Sequence, residues 1–133
     1  MLKNTLIALL VCLTGLTLFG GDADPISLKG NFVWKRSDAD RNGDLLAKFT
    51  QVKEGEWAVS FHFTWDEKPL VYTGIAKGSL KNGNLTGEVK SDDKKHSYTF
   101  SGAVVNGTLN ANHKYHNEDG TVSDTGTLML KPS

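Results

Sequence analysis

The sequence is poor in cysteine and proline, with one Cys and three Pro in 133 residues. Cys12 has no second cysteine to pair with, so the chain can form no internal disulfide. Charge of one sign is not in excess either, because 15 Lys and Arg residues are matched by 15 Asp and Glu residues. Nucleic acids and anionic membrane surfaces select a basic excess on one face, so we expect neither as a partner. The length allows one domain.

The motifs of several common enzyme classes are also missing. There is no Gly-x-Ser-x-Gly elbow, no Gly-rich phosphate loop and no HExxH segment. The sequence therefore does not fit the motif patterns of these hydrolases or of nucleotide-binding enzymes. His113 and His116 could suggest a metal pair, but an odd offset along a strand sends the two side chains to opposite faces. We do not expect them to bind one ion together.

The N-terminus has the organisation of a secretory signal peptide. Lys3 supplies the positive start, residues 5–19 form an apolar run, and Gly21-Asp22-Ala23 offers small residues to a signal peptidase. A membrane-spanning helix needs roughly 20 apolar residues, so the shorter run favours cleavage after Ala23 over an anchor.

Cleavage would leave residues 24–133 as a single secreted or periplasmic domain, with no stable membrane insertion. That domain would contain no cysteine, whereas small secreted domains are often held by disulfides. This favours a bacterial cell envelope over an animal or plant extracellular space.

The mature chain has the pattern of an all-β protein. Residues 57–65 alternate strictly, with large apolar side chains on one face and Ala, Ser, His and Thr on the other, as in a half-buried strand. Turn residues recur between such segments, among them the Asn-Gly pairs that favour hairpins. We predict strands near 30–36, 44–53, 57–65, 70–80, 84–91, 96–104, 108–115 and 121–131, with turns that include Asn42-Gly43, Glu54-Gly55, Asp66 to Pro69 and Asn106-Gly107.

Eight strands joined by short hairpins predict an antiparallel up-and-down barrel of lipocalin-like architecture, because closure removes both sheet edges. A β-sandwich is the alternative fold. Segment 44–53 also fits a helical stripe through Leu45, Leu46, Phe49 and Val52, so a short helix on a seven-stranded barrel is a second alternative. The Glu54-Gly55 turn and the strand that follows it favour a hairpin there.

The segment Gly30-Asn31-Phe32-Val33-Trp34-Lys35 resembles the first strand of lipocalins and intracellular fatty-acid carriers, in which a glycine shortly precedes a tryptophan. Three residues separate Gly30 from Trp34, against one in the usual lipocalin motif. The resemblance covers six residues, and we infer no family membership from it.

A weak calcium site is one interpretation of residues 38–45. Asp38, Asp40 and Asn42 occupy positions 1, 3 and 5 of an EF-hand loop, Gly43 occupies position 6, and Asp44 adds a further carboxylate. Position 12 is Phe49, so the bidentate glutamate is missing and affinity should be low. The other interpretation is a polar hairpin loop that ends in Asn-Gly.

Parity along the last strands places several polar side chains inside the barrel. If Leu109 and Ala111 face the core, so do His113 and Tyr115, and if Leu128 and Leu130 do, so does Asp124. His113 and Asp124 are then cross-strand neighbours, and a nearby carboxylate would raise the pKa of the histidine. The same parity turns His96, Tyr98 and Tyr72 inward. This set could bind a small polar ligand, or be a structural hydrogen-bonded pair among tyrosines.

Two functions are therefore considered. The first is a non-enzymatic module that binds a small molecule or a protein surface, and the second is a small-barrel isomerase or cyclase that uses His113 and Asp124. An interior of eight strands is one that side chains can just fill. The chain has three Trp, three Tyr and six Phe, only one of which lies in the leader, and this aromatic bulk predicts a small pocket or none.

Overall fold

The computed structural model describes residues 25–35 and 41–133, without the side chains of Ser123 and Asp124, and shows a closed antiparallel barrel of eight strands. The strands are β1 (Ile26–Lys35), β2 (Arg41–Lys53), β3 (Glu56–Trp65), β4 (Lys68–Gly78), β5 (Gly83–Lys90), β6 (Ser97–Val105), β7 (Thr108–His116) and β8 (Val122–Pro132). Each strand pairs with the next, and β8 closes on β1. The predicted up-and-down barrel is confirmed, and the chain does not form a sandwich.

The predicted signal peptide lies outside the described residues and stays a prediction. Within the part of the chain that the structure covers, no helix has the length and apolar character needed to cross a membrane.

The segment that could have been a helix is a strand. Leu45, Ala47 and Phe49 are buried on β2, and the residues between and beside them are more exposed. The period of two therefore outweighs the helical stripe, and Val52 lies exposed near the strand end.

The predicted turns are partly correct. Glu54-Gly55 and Asn106-Gly107 both form turns. Asn106 has φ of 52° and Gly107 has φ of 85°, as in a type I′ hairpin. Asn42-Gly43 is not a turn, because the two residues pair with Val33 and Phe32 inside the β1–β2 ladder. The turn expected over Asp66 to Pro69 contracts to Asp66 and Glu67, and Pro69 lies in β4.

The two ends of the barrel interior differ. We call the end with the turns at 54–55, 79–82 and 106–107 the packed end, and the end with the turns at 66–67, 91–96 and 117–121 the mouth. Large apolar side chains fill the packed end and the middle of the barrel. Those less than 2% exposed are Phe49, Leu28, Leu85, Leu109, Leu130, Val89 and Val104.

Glycines facing inward make room for the large residues. A Cβ at Gly87 would lie 2.6 Å from the ring of Phe100, its partner on β6. Along β4 the inward residues are large at the mouth, where Leu70 and Tyr72 lie, and small toward the packed end.

Candidate functional site

Aromatic side chains converge at the mouth from strands on every side of the barrel. The rings of Trp34 and Trp65 have centroids 4.6 Å apart, and Trp34 also contacts Tyr98 and Tyr115 at 6.2 and 5.7 Å. The contacts continue from Phe63 to Phe32 and Tyr72 at 5.8 and 5.3 Å. Offset and edge-to-face contacts of this kind stabilise the cluster beyond simple burial. The mouth is thus a continuous aromatic surface.

Arg41 lies at the rim of this surface. Its guanidinium carbon is 4.2 Å from the ring centroid of Trp65, and its Nη2 donates to Asp66 Oδ1 at 3.2 Å. The turn residue Asp66 therefore holds Arg41 over one face of Trp65.

A cavity of about 40 Å³ lies below the rim. The residues that line it are Phe32, Trp34, Leu45, Phe61, Phe63, Trp65, Tyr98, His113 and Leu128. The expectation of a small pocket or none is therefore met by a small pocket. A solvent-open groove lies above it, between β3–β4 and the 91–96 loop, and shares Trp34, Phe63, Trp65 and Tyr98 with the cavity.

Beside the groove, strand β4 extends beyond the end of its neighbour β5. The β4–β5 pairing begins at Thr73 and Lys90, so the upper part of β4, Lys68 to Tyr72, has no partner on β5. The 91–96 loop borders this gap. It is held by Asp93, which accepts hydrogen bonds from Ser91 Oγ at 2.6 Å and Lys95 N at 2.9 Å. These bonds lower the pKa of the Asp93 carboxyl.

His113 is the one buried polar residue among the described side chains, with 6% of its surface exposed. Its Nε2–H donates a hydrogen bond to the carbonyl oxygen of Val33 on β1, 3.1 Å away. Strand β8 lies between β7 and β1, and the imidazole passes over it at Gly126. A Cβ at Gly126 would lie 2.6 Å from Nε2 and 1.9 Å from that oxygen. The missing side chain at Gly126 is what lets the imidazole reach β1.

Burial sets the protonation of the histidine. Desolvation lowers the pKa of His113, and the hydrogen bond to Val33 opposes this only in part. The ring is therefore neutral at neutral pH. At the same mouth, burial first and then the nearby Tyr115 and Asp93 raise the pKa of Tyr72 to about 12, so its hydroxyl stays protonated.

Five of the six predicted ligand-binding residues form one chain of ring contacts. Tyr98 contacts Tyr72 at 5.4 Å, Tyr115 at 5.2 Å and His113 at 5.8 Å. His96 is exposed at the rim, where it stacks on Tyr115 and shares a hydrogen bond with its hydroxyl. Strand parity accounts for the inward positions of the tyrosines and His113, whereas the predicted inward position of His96 is wrong because His96 precedes β6 and lies in the 91–96 loop. Whether they bind a ligand stays a prediction.

The sixth residue, Asp124, does not lie directly opposite His113 as expected. The β7–β8 register sets Asp124 opposite Tyr115, and Gly126 opposite His113, so Asp124 is only a diagonal neighbour of the histidine. The side chain of Asp124 is not among the side chains that the structure describes. The expected upward shift of the His113 pKa is wrong in direction, because desolvation dominates and lowers it.

The proposed calcium residues are only partly covered. Asp38 and Asp40 lie outside the described residues. Asn42 and Asp44 are exposed positions of β2, and Asp44 Oδ1 accepts a hydrogen bond from Asn31 Nδ2 at 3.1 Å. The described residues contain no group of three or more His, Cys, Asp or Glu able to bind a metal. The weak calcium site stays a prediction.

The two histidines of the last hairpin lie on opposite faces, as the odd offset predicts. His113 faces the interior, and His116 Nε2 is 2.9 Å from Thr99 Oγ1 on the outer face. They cannot bind one ion together.

The sequence reasoning missed the most prominent part of the site. Trp34, Trp65 and Phe63 line both cavity and groove, yet alternation alone showed only that such residues face inward. Their place near strand ends was the available signal, since inward residues next to a turn line an opening. Nothing in the pattern pointed to Gly126, because a close approach between three strands depends on barrel geometry.

No protein-family model matches this chain, and no curated protein matches it.

Proposed function

We propose that the protein is a non-enzymatic binding module of the secreted or periplasmic space, and that its mouth binds a small, largely apolar molecule. The observation that carries this is the aromatic surface formed by Trp34, Phe63, Trp65 and Tyr98, which lines both a small cavity and the groove next to it. Ligand sites are typically concave and mostly apolar, with a few polar groups that fix orientation. Export is supported by the signal-peptide pattern of residues 1–23.

Binding has more support than the isomerase or cyclase alternative. A His–Asp acid–base pair needs the two side chains in hydrogen-bond reach, whereas the register places Asp124 opposite Tyr115. The Nε2–H of His113 is also already bonded to Val33.

The neutral fluorescent probe N-phenyl-1-naphthylamine tests the binding proposal. We expect its emission to rise with wild-type protein and to saturate. Trp65→Ala removes the ring shared by cavity and groove, and should weaken binding of the probe by about tenfold or more, since a buried aromatic contact contributes about 1–3 kcal/mol.

Val105→Ala is the matched control, because Val105 is 61% exposed on the outer face. It should bind the probe as wild type does. No saturable emission with wild type, or equal losses in both variants, would reject the mouth as a binding site.

A further inference from the structure

We propose that the ligand carries one terminal O–H or N–H group, which donates a hydrogen bond to Nδ1 of His113, while its apolar body lies in the groove. This inference rests on the proposed function and names the chemical class of its ligand. It follows from the protonation of the imidazole, from the lining of the cavity and from the cavity's size.

The hydrogen bond to Val33 determines which nitrogen carries the proton. A backbone carbonyl only accepts, so Nε2 of His113 must be the donor across the 3.1 Å contact. In a neutral imidazole the other nitrogen is then a bare acceptor. Nδ1 is buried and has no hydrogen-bond partner among the residues whose side chains are described.

An unpaired buried acceptor is costly, and the surrounding cavity offers little to satisfy it. Apart from Tyr98 and His113, the lining side chains are Phe, Leu and Trp. A buried water usually makes about three hydrogen bonds, and a lining with so few polar groups is a poor site for one. A ligand donor attached to carbon atoms would satisfy Nδ1 and the apolar walls together.

The size of the cavity restricts what enters it. A volume of about 40 Å³ is well below the roughly 150 Å³ of a cavity that holds benzene. Only a slender end of a ligand fits beside His113. The larger body has the groove above, which reaches from Trp34 and Trp65 to Leu70 and Tyr72.

Two probes that differ only in the donor test this inference. 2-Phenylethanol has a ring, a slender chain and a terminal O–H, and its methyl ether has no donor. We expect wild type to bind the alcohol about three- to tenfold more tightly, as one hydrogen bond implies. Affinities come from chemical-shift titration of the backbone amides.

His113→Leu removes the acceptor and should abolish the preference for the alcohol, whereas His62→Leu, on the outer face, should keep it. Equal affinities of wild type for the two probes would overturn the inference and leave the proposed function intact. Loss of the preference in Tyr98→Phe with its retention in His113→Leu would also overturn it. Binding of neither probe by wild type would overturn the proposed function as well.

Ring ¹⁵N spectra of ligand-free wild type provide a test that needs no variant. We expect a proton on Nε2 and none on Nδ1 at neutral pH, and a shift of the Nδ1 signal when the alcohol is added. A ring with both nitrogens protonated would overturn the inference. If that state disappeared in Asp124→Asn, the carboxylate of Asp124 would be the partner of Nδ1.

Discussion

His113 sits in a site that favours its neutral form. Its ring lies between Tyr98 and the glycine gap of β8, with Nε2–H on the Val33 carbonyl. Protonation would put a charge into a mostly apolar cavity, so burial lowers the pKa of the histidine below its ordinary value. The folded state therefore takes up this proton at lower pH than the unfolded state does.

The sign of the resulting pH dependence follows from proton counting. Between the lowered folded pKa and the unfolded value near 6.5, the unfolded chain binds more protons, so the free energy of unfolding rises with pH. We expect stability to fall as pH drops from about 7 through that window. Urea unfolding of wild type and His113→Gln at several pH values measures it, and the variant should show a shallower slope.

His62 provides the control for that experiment. Burial and the nearby Lys48 also lower the pKa of His62, on the outer face, where its Nε2 is 2.8 Å from Ser60 Oγ. His62→Gln should leave part of the slope in place, because His113 still titrates. A slope unchanged in His113→Gln would show that the buried imidazole is not its source.

The turn between β3 and β4 is strained for its residues. Asp66 and Glu67 have φ of 49° and 67°, in the left-handed region, and neither is glycine. A left-handed residue with a Cβ costs about 1–2 kcal/mol, and Asp tolerates this conformation better than Glu does. Asp66 also holds Arg41 over Trp65, so part of the strain lies at the mouth itself.

Glu67→Gly should therefore stabilise the protein. Relief of the left-handed strain outweighs the greater freedom of glycine in the unfolded chain, and we expect a gain of about 0.5–1 kcal/mol. Thermal unfolding checks it. Asn106→Gly is the matched control, since Asn106 has φ of 52° and asparagine tolerates it, so its stability should change little. A loss in Glu67→Gly would mean that the side chain makes a stabilising contact.

Strand periodicity carried most of the fold prediction. The alternation within segments such as β3, together with the turn residues that recur between segments along the chain, was enough to predict eight strands and to favour a barrel. Asn42-Gly43 misled because an Asn-Gly pair favours a turn but does not require one. The pair is extended because it forms ladder hydrogen bonds with β1. Such pairing between strands cannot be read from a local sequence pattern.

The candidate site was predictable only in part, for a related reason. Parity put Tyr72, Tyr98 and His113 on the inner face, because parity needs only the strand assignment. The Asp124 position depended on register, and the actual register sets Gly126 opposite His113. The cavity is also a property of the closed barrel, since its lining comes from β1, β2, β3, β6, β7 and β8.

Stability and binding are separated along the barrel axis. Side chains at the packed end are almost fully buried, whereas several aromatic residues at the mouth, among them Trp34, Phe63 and Trp65, are only half-buried. Half-buried side chains contribute less hydrophobic stabilisation and leave area available to a ligand. We therefore expect substitutions of the half-buried mouth residues to cost less stability than substitutions at the packed end.

Two leucine truncations test that separation. Leu85 is 0% exposed toward the packed end, so Leu85→Ala should cost about 2–5 kcal/mol of stability. Leu70 is half-buried in the wall of the groove, and Leu70→Ala should cost only about 1 kcal/mol. Leu70→Ala should weaken binding of N-phenyl-1-naphthylamine, whereas folded Leu85→Ala should bind it as wild type does. Urea unfolding and probe titration measure the stability and the probe affinity of both variants.

The separation would be contradicted if Leu85→Ala impaired binding as much as Leu70→Ala. Loss of packing at the packed end would then disturb the aromatic side chains at the mouth.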